Sequence, residues 1–145
     1  MFKKISQSVV LEYFPEYRTT IANDYALVSV ATAGIPAEVF KRVANLPGLD
    51  PAYLATLLDV SVKTVQRHTK EDKKLSPTQS EHLLKIIDLF RQGEEIFGSL
   101  SAFERWITKP AYGLGGKVPL ELLQTIVGIE LMEEELTRIA YGDLA

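Results

Sequence analysis

The segment from Asp50 to Lys70 constrains the fold of this chain most, because its spacing predicts two short helices joined by one tight turn. Asp50 is a favoured N-cap and Pro51 suits the first helical position, so a first helix should run to about Leu58. Small or apolar side chains are expected where the two helices meet a core, and the segment supplies Leu54, Ala55, Leu58, Val60 and Val65. This arrangement is typical of the helix-turn-helix, which places its second helix in the major groove of DNA.

The second helix of this segment carries its polar residues. Asp59 tolerates left-handed backbone at the turn, and Ser61 can cap a helix from Val62 to about Thr69. Side chains near the start of this helix make base-edge and phosphate contacts in the motif. We therefore predict DNA contact by Ser61, Lys63, Thr64, Gln66, Arg67 and Lys70. The alternative is an ordinary solvated helix pair, which is common in all-helical proteins.

The charge distribution favours DNA binding in only one region of the chain. The whole chain has a formal charge of -3. Residues 61–74 carry five cations, Lys63, Arg67, Lys70, Lys73 and Lys74, against the two carboxylates Glu71 and Asp72, a local charge of +3. Because the acidic remainder weakens nonspecific DNA affinity, operator binding should depend on base contacts and on a homodimer that touches two half-sites.

The composition indicates a globular chain without catalytic motifs. Its 145 residues are 46% hydrophobic, which suits one compact unit or two small ones that share a core. The sequence has neither a run of about 18 apolar residues nor a secretory signal, so we expect a cytoplasmic protein without a membrane partner. It has no cysteine, and His68 and His82 are expected at the surface or its boundary, so no metal site is predicted. Without a phosphate-binding loop, dinucleotide fingerprint or nucleophile elbow, we predict a non-enzyme with no cofactor.

The first 45 residues are harder to assign. Residues 1–22 form an N-terminal arm of unclear period, which is a candidate for packing on a partner. With Asn23 or Asp24 as N-cap, the next apolar stretch should be a helix that ends at Gly34, although its alternating valines leave a strand as the alternative. Pro36 is expected to open a further helix with one apolar face, formed by Val39, Phe40 and Val43.

Capping patterns predict the helices that follow. Ser76 with Gln79 forms a capping box, and the apolar stripe after it should continue to Phe97, before the break at Gly98. A second box is expected to start the next helix and to direct two aromatic side chains into the core, and these four residues are Ser101, Glu104, Phe103 and Trp106.

Glycines mark the predicted loops and helix ends in the last third of the chain. Residues 111–117 hold three of them, and a tight connection against the helices is favoured there over a phosphate cradle. Pro119 should start a helix that Gly128 terminates, and a final helix should end at Gly142. This final helix is expected to bury Ile129, Met132, Leu136 and Ile139 and to expose Glu130, Glu133, Glu134 and Glu135. The predicted fold class is therefore all-α.

Taken together, several of these residues resemble a known family. They are Phe103, Trp106, the GLGG turn at 113–116, Pro119, Leu120, Leu123, Thr125, Gly128 and the closing segment Leu136–Gly142. In this combination they resemble the toxin-binding domain of the Xre/MbcA/ParS antitoxins, over about residues 80–145. The helix-turn-helix with its Thr64-Val65-Gln66-Arg67 run resembles the Xre-like module that precedes this domain. One departure is Val118, because the family commonly places a capping Thr there.

The resemblance implies an antitoxin. Such a protein binds a RES-domain toxin, an enzyme that degrades NAD, and represses the shared operon through its helix-turn-helix. In these antitoxins the C-terminal end reaches the active-site cleft of the toxin, which maps here onto Arg138, Tyr141, Gly142, Asp143, Leu144 and Ala145. An exposed tail with a carboxylate is compatible with plugging a cationic cleft, and an ordinary frayed terminus is the alternative.

The predicted organisation is therefore an N-terminal arm at 1–22, an Xre-like helix-turn-helix bundle at 23–97 and a small helical toxin-binding domain at 98–145. Two other functions remain open at this stage. One is a stand-alone transcriptional regulator whose C-terminal domain dimerises or senses a small molecule, and the other is an interaction scaffold whose helix-turn-helix has lost DNA affinity.

Overall fold

The computed structural model describes residues 8–142, and these residues form an all-helical fold without a β-strand, as predicted. The α-helices are α1 (Val9–Tyr13), α2 (Asp24–Ala33), α3 (Val39–Ala44), α4 (Pro51–Leu57), α5 (Val62–Lys70), α6 (Pro77–Phe97), α7 (Leu100–Ile107) and α8 (Ile126–Ala140). Shorter 3-10 helices lie at Pro15–Tyr17, Tyr112–Leu114 and Pro119–Gln124.

The fold is organised around α6. The capping box predicted at its start is present: Ser76 Oγ accepts the Gln79 N–H at 3.1 Å, and Gln79 Oε1 accepts the Ser76 N–H at 3.2 Å. Gly98 ends the helix in the left-handed conformation. Helices α1, α2, α3, α7 and α8 all pack against α6. Helix α6 is a core helix, because it buries apolar side chains on several of its faces. Its fully buried apolar residues are Leu83, Leu84, Ile86, Ile87, Leu89 and Phe90.

The N-terminal segment packs on its own chain. Val10, Leu11 and Phe14 are buried in the common core. The buried Glu94 carboxylate of α6 caps α1, accepting the Val9 N–H at 2.8 Å. Within the predicted arm, residues 9–13 and 15–17 are therefore helical and residues 18–22 are turns, and the buried apolar side chains pack against the rest of the molecule.

The structure settles the two segments that follow, whose secondary structure the sequence left uncertain. Residues 24–33 are a helix and not a strand, with the Asn23 side chain accepting the Ala26 N–H at 3.0 Å. The prediction that Pro36 opens the next helix is wrong, because Pro36 forms an isolated antiparallel bridge with Lys74. Two backbone hydrogen bonds accompany the bridge, from Ala37 N–H to Lys73 O and from Leu75 N–H to Ile35 O, so α3 starts only at Val39.

Two predicted helix boundaries in the C-terminal half are wrong. Ser99, and not Ser101, caps α7 by accepting the Ala102 N–H at 3.0 Å. Gly128 does not end a helix: Pro119–Gln124 forms a 3-10 helix without a side-chain cap at Val118, and α8 begins directly after it. Gly128 lies in the first turn of α8 and donates its N–H to Thr125 Oγ1 at 2.9 Å.

Two side chains, His82 and Trp106, differ in burial from what the sequence suggested. His82 is buried, with Nε2 2.6 Å from Leu123 O, so its placement near the surface was wrong. His68 lies at the boundary, as predicted. Phe103 is fully buried, whereas Trp106 stacks on it at a centroid distance of 5.9 Å and remains only partly buried.

Candidate functional site

The turn between α4 and α5 has the geometry of a helix-turn-helix. The Val60 N–H bonds to Ala55 O at 3.0 Å, and the Asp59 N–H bonds to Thr56 O at 3.2 Å. This pair of bonds is a Schellman motif, which needs a left-handed residue after the helix, and Asp59 has φ 52°. The left-handed turn expected at Asp59 is confirmed.

Local hydrogen bonds fix the start of α5. Ser61 Oγ accepts the Thr64 N–H at 3.0 Å and donates to Thr64 Oγ1 at 2.8 Å. Both hydroxyls that were predicted to contact DNA are therefore already engaged in capping the helix. At the other end of α5, the Lys73 N–H bonds to His68 O at 2.8 Å, and the following residues bridge to the α2–α3 loop. The helix is thus anchored at both ends.

The outward face of α5 is polar and cationic. Val65 is buried, whereas Lys63, Gln66, Arg67 and Lys70 are exposed. Within residues 8–142, the ion pairs leave Lys63, Arg67, Lys70 and Lys74 without a carboxylate partner. An exposed helix face with unpaired cations and an exposed amide can contact phosphates and base edges.

Lys73 differs from the other cations of this region. Its Nζ lies 3.0 Å from Glu71 Oε1, and this hydrogen bond holds the pKa of the exposed Glu71 carboxyl below its usual value. Because this ion pair lies after α5, it leaves the outward face of the helix cationic.

The second candidate site is the end of α8. Arg138 and Tyr141 are exposed, and Gly142 follows with a left-handed φ of 72°. The predicted tail residues Asp143, Leu144 and Ala145 lie outside the described residues. The exposed Arg138 side chain is held in place by its own helix. Its guanidinium donates to Glu135 Oε1, from Nε at 2.9 Å and also from Nη2.

Glu135 corrects the sequence analysis, which placed it on the solvent face. Its side chain is buried and faces Gly113, where a Cβ atom would clash with the carboxylate. The glycine loop closes on itself through bonds from Ala111 N–H to Lys117 O and from Gly116 N–H to Ala111 O. The buried Glu135 carboxylate therefore lies directly beside the glycine loop and bonds to Arg138. The sequence signal was the spacing of three between Glu135 and Arg138, which joins their side chains on a helix.

The two candidate sites are connected by short contacts. The hydroxyl of Tyr53 in α4 donates to Leu120 O at 2.7 Å, and burial raises the pKa of this phenol. His82 makes the second contact, to Leu123 O in the same 3-10 helix. This 3-10 helix leads directly into α8, so the helix-turn-helix and the C-terminal helix share a rigid support. Neither contact was foreseen from the sequence, since each joins residues about 40 or more positions apart.

Other kinds of site find no support in the described part of the chain. Residues 8–142 hold no group of three or more His, Asp or Glu side chains that could bind a metal ion. Among these same residues, every helix is too short or too polar to cross a bilayer.

The fold and its two exposed faces define a helix-turn-helix protein with a second, C-terminal helical domain. Residues 26–88 match the antitoxin Xre-like helix-turn-helix domain. Residues 92–142 match the antitoxin Xre/MbcA/ParS C-terminal toxin-binding domain. The chain therefore belongs to the Xre/MbcA/ParS antitoxins, a family that is not catalytic.

Two curated relatives extend over most of the chain. It is 25% identical over 122 residues to "Antitoxin Xre" from Pseudomonas putida, an alignment that covers 84% of this chain and 76% of the relative. It is 26% identical over 127 residues to "Prs ADP-ribosylating antitoxin" from Sphingobium sp., covering 81% of this chain and 80% of the relative.

Proposed function

We propose that this antitoxin binds a RES-domain toxin, occludes its active site and represses the operon that encodes both proteins. The observation that carries the proposal is the combination of two matched domains with two exposed faces, one on α5 and one at the end of α8. The two faces belong to different helices, so one molecule can hold DNA and toxin at the same time.

On the toxin side, the inhibitory element is the C-terminal end. Arg138, Tyr141 and Gly142 lie in the last described turns, and Asp143, Leu144 and Ala145 follow them in the sequence. A short segment that carries the Asp143 carboxylate fits a cleft lined by the cations that bind the phosphates of a cofactor. The tail then prevents the cofactor from entering.

We further propose that the toxin consumes NAD. The name of the Sphingobium relative contains the term ADP-ribosylating, and ADP-ribosyl transfer uses NAD as its donor. Degradation of NAD by a RES-domain toxin draws on the same substrate. Both reactions need a cleft that binds a dinucleotide, so a C-terminal segment in that cleft would inhibit either kind of toxin.

On the DNA side, a homodimer presents two copies of α5 to the half-sites of an operator. Lys63, Gln66, Arg67 and Lys70 make the direct contacts. Ser61 and Thr64 act mainly by fixing the start of the helix, since their hydroxyls bond to each other. The phosphate contacts of Lys63, Arg67 and Lys70 make this binding dependent on salt concentration, because each one releases counterions from the DNA.

Co-expression with the RES-domain protein of the neighbouring gene tests the proposal. The full chain should form a stable complex with it and restore cellular NAD and growth. A chain that lacks residues 139–145 should still fold and bind operator DNA, but it should fail to neutralise the toxin. If the shortened chain neutralises the toxin fully, the plug mechanism is wrong. If the full chain does not bind the RES-domain protein at all, the assignment of the toxin class is wrong.

A further inference from the structure

A second basic segment lies in the C-terminal domain, outside the helix-turn-helix. This segment, residues 105–120, carries the three cations Arg105, Lys109 and Lys117 and no Asp or Glu, in a chain whose formal charge is -3. All three side chains are exposed. No ion pair within residues 8–142 involves any of them. The second basic segment therefore presents cations that the described part of the fold does not neutralise.

The second basic segment packs beside the start of α4. A Cβ atom built on Gly48, two residues before the N-cap of this helix, would lie 3.6 Å from Thr108 Cγ2 and 3.7 Å from Leu120 Cδ1. In the first turn of α4, the Tyr53 hydroxyl donates to Leu120 O at 2.7 Å. Lys109 follows Thr108 directly, so its backbone lies next to the first helix of the helix-turn-helix.

The glycine loop fixes the backbone of Lys117. The Lys117 carbonyl accepts the Ala111 N–H at 2.9 Å, which closes the loop. Arg105 is turned the other way, because its Nη1 donates to Ser101 Oγ at 3.2 Å, one turn back along α7. Lys109 and Lys117 are therefore the cations of this segment that can reach an anion beside α4.

We propose that Lys109 and Lys117 bind phosphates of the operator DNA, so that the C-terminal domain extends the DNA contact beyond α5. In a helix-turn-helix, the second helix enters the major groove while the first helix crosses the sugar-phosphate backbone. Cations beside the first helix therefore lie along the path of the phosphates. The inference rests on the proposed function, because it adds contacts to the same operator complex.

Charge identifies DNA, and not the toxin, as the partner of this segment. The proposed toxin cleft is lined by cations, which would repel the segment, whereas each DNA strand presents a continuous row of phosphates. Residues 61–74 and 105–120 each carry +3, so the rest of the chain carries -9. The excess positive charge is thus confined to two regions, one that includes α5 and one that packs beside α4, and a single tight turn joins these two helices.

The test is the salt dependence of operator binding by a Lys109→Ala, Lys117→Ala double variant of the full chain. Each lost phosphate contact should reduce the slope of log affinity against log salt concentration by about 0.9, so the double variant should lose about 1.8. Because phosphate contacts carry no base information, its affinity should fall equally for operator and for unrelated DNA. Gel-shift titration at several salt concentrations measures both effects.

Two further variants serve as controls. Arg18→Ala removes an exposed cation of the N-terminal segment that also forms no ion pair within residues 8–142, and it should leave the slope unchanged. A Lys109→Arg, Lys117→Arg double variant keeps both charges and should retain the wild-type slope.

A wild-type slope in the double alanine variant overturns the inference, and if Arg67→Ala lowers the slope in the same assay, the proposed function still stands. An equal loss of slope in Arg18→Ala also overturns it, since the net charge and not a contact is then the cause. The same holds if the double alanine variant binds DNA normally but loses affinity for the purified RES-domain protein of the neighbouring gene, because the segment then binds the toxin. If the wild-type chain does not bind operator DNA, the proposed function fails and this inference fails with it.

Discussion

At the scale of single residues, the orientation of α5 depends on two aspartates that occupy left-handed positions. Asp59 follows α4 with φ 52°, and Asp72 follows α5 with φ 55°. Such positions usually hold glycine, because a Cβ atom is strained there by about 1 to 2 kcal/mol. Aspartate tolerates the conformation but leaves a carboxylate near the negative end of the helix dipole. Each aspartate therefore lowers the stability of its turn relative to glycine.

The turn at Asp59 allows a prediction that distinguishes glycine from alanine at this position. Asp59→Gly should raise the free energy of unfolding by about 1 kcal/mol, because glycine relieves the strain at positive φ. Asp59→Ala is the matched control, since it removes the same carboxylate but keeps the Cβ atom, and it should give no comparable gain. Urea denaturation of the two variants measures the difference. Equal stabilisation by both would mean that the charge, and not the backbone, matters.

A second prediction concerns Gly93, in the interior of α6. Replacing glycine by alanine in a helix normally increases stability by about 0.5 to 1 kcal/mol. At Gly93 the new Cβ would overlap the ring of Phe103, so Gly93→Ala should instead destabilise by about 1 to 3 kcal/mol. Thermal denaturation measures the sign. The smaller side chain in a Gly93→Ala, Phe103→Leu double variant should make the effect of Gly93→Ala less unfavourable. A higher melting temperature for Gly93→Ala alone would contradict the packing described.

At the scale of elements, the N-terminal segment shows how one side chain docks a short helix. A five-residue helix such as α1 is not stable alone, because too few hydrogen bonds offset its nucleation. Glu94 supplies the missing partners by accepting from Val9 N–H, Val10 N–H and Ser8 Oγ. On the other side, Arg42 bonds to Tyr13 O and forms an ion pair with Glu16. The segment is thus fastened from α6 and from α3.

We predict that Glu94→Ala releases this segment. It leaves the buried Val10 N–H and the part-buried Val9 N–H without their acceptor, which should cost about 2 to 3 kcal/mol. Glu95→Ala is the control, because Glu95 is the neighbouring carboxylate but is exposed. Hydrogen exchange should show loss of protection at residues 8–22 in the first variant only. Unchanged protection in Glu94→Ala would show that the apolar side chains hold the segment without the cap.

The same segment should make the stability of the protein depend on pH in the alkaline range. Burial is the main cause that raises the pKa of Tyr17 to about 12 from a usual value near 10. The folded state therefore keeps a proton that the unfolded chain loses above pH 10. Stability from Tyr17 should be complete below pH 10 and should fall by about 1 kcal/mol per pH unit between pH 10 and 12. Urea denaturation of Tyr17→Phe should show a smaller decrease over this range, and an identical decrease would exclude Tyr17 as its source.

At the scale of the whole molecule, the two matched domains are parts of one body. Helix α6 begins inside the helix-turn-helix domain and ends inside the toxin-binding domain, and its side chains contribute to a single hydrophobic core. The Tyr53–Leu120 hydrogen bond joins the two parts a second time. The DNA-facing and toxin-facing surfaces are therefore held in a fixed geometry, although they lie on different helices.

This separation predicts that the two activities can be removed independently. Arg67→Ala should weaken operator binding and lower its salt dependence, because it removes an exposed cation that forms no ion pair within residues 8–142. Toxin neutralisation should be unchanged. Gel-shift titration with promoter DNA and a co-expression growth assay measure the two effects. Equal loss of both activities in a folded variant would contradict the model of two surfaces.

Local interactions made much of this fold predictable from the sequence. The capping box of Ser76 and Gln79, the cap at Asp50 and the turn at Asp59 each depend on residues a few positions apart, and all three are confirmed. The resemblance to the antitoxin family also followed from short motifs, and it is borne out by the two matched domains. The proposed contacts with DNA and toxin stay predictions.

Only the tertiary structure decided the features that depend on distant partners. Glu135 was placed among exposed glutamates because helix periodicity alone cannot show that the glycine loop covers it. Pro36 satisfied every local rule for starting a helix, but the bridge to Lys74, 38 positions away, delayed that start to Val39. The sequence by itself determined most of the helices, the caps at Asp50, Ser61 and Ser76, and the family, since these depend on neighbouring residues. Which charged side chains are buried, and how the two surfaces are joined through Tyr53 and α6, depends on contacts between residues far apart in the chain.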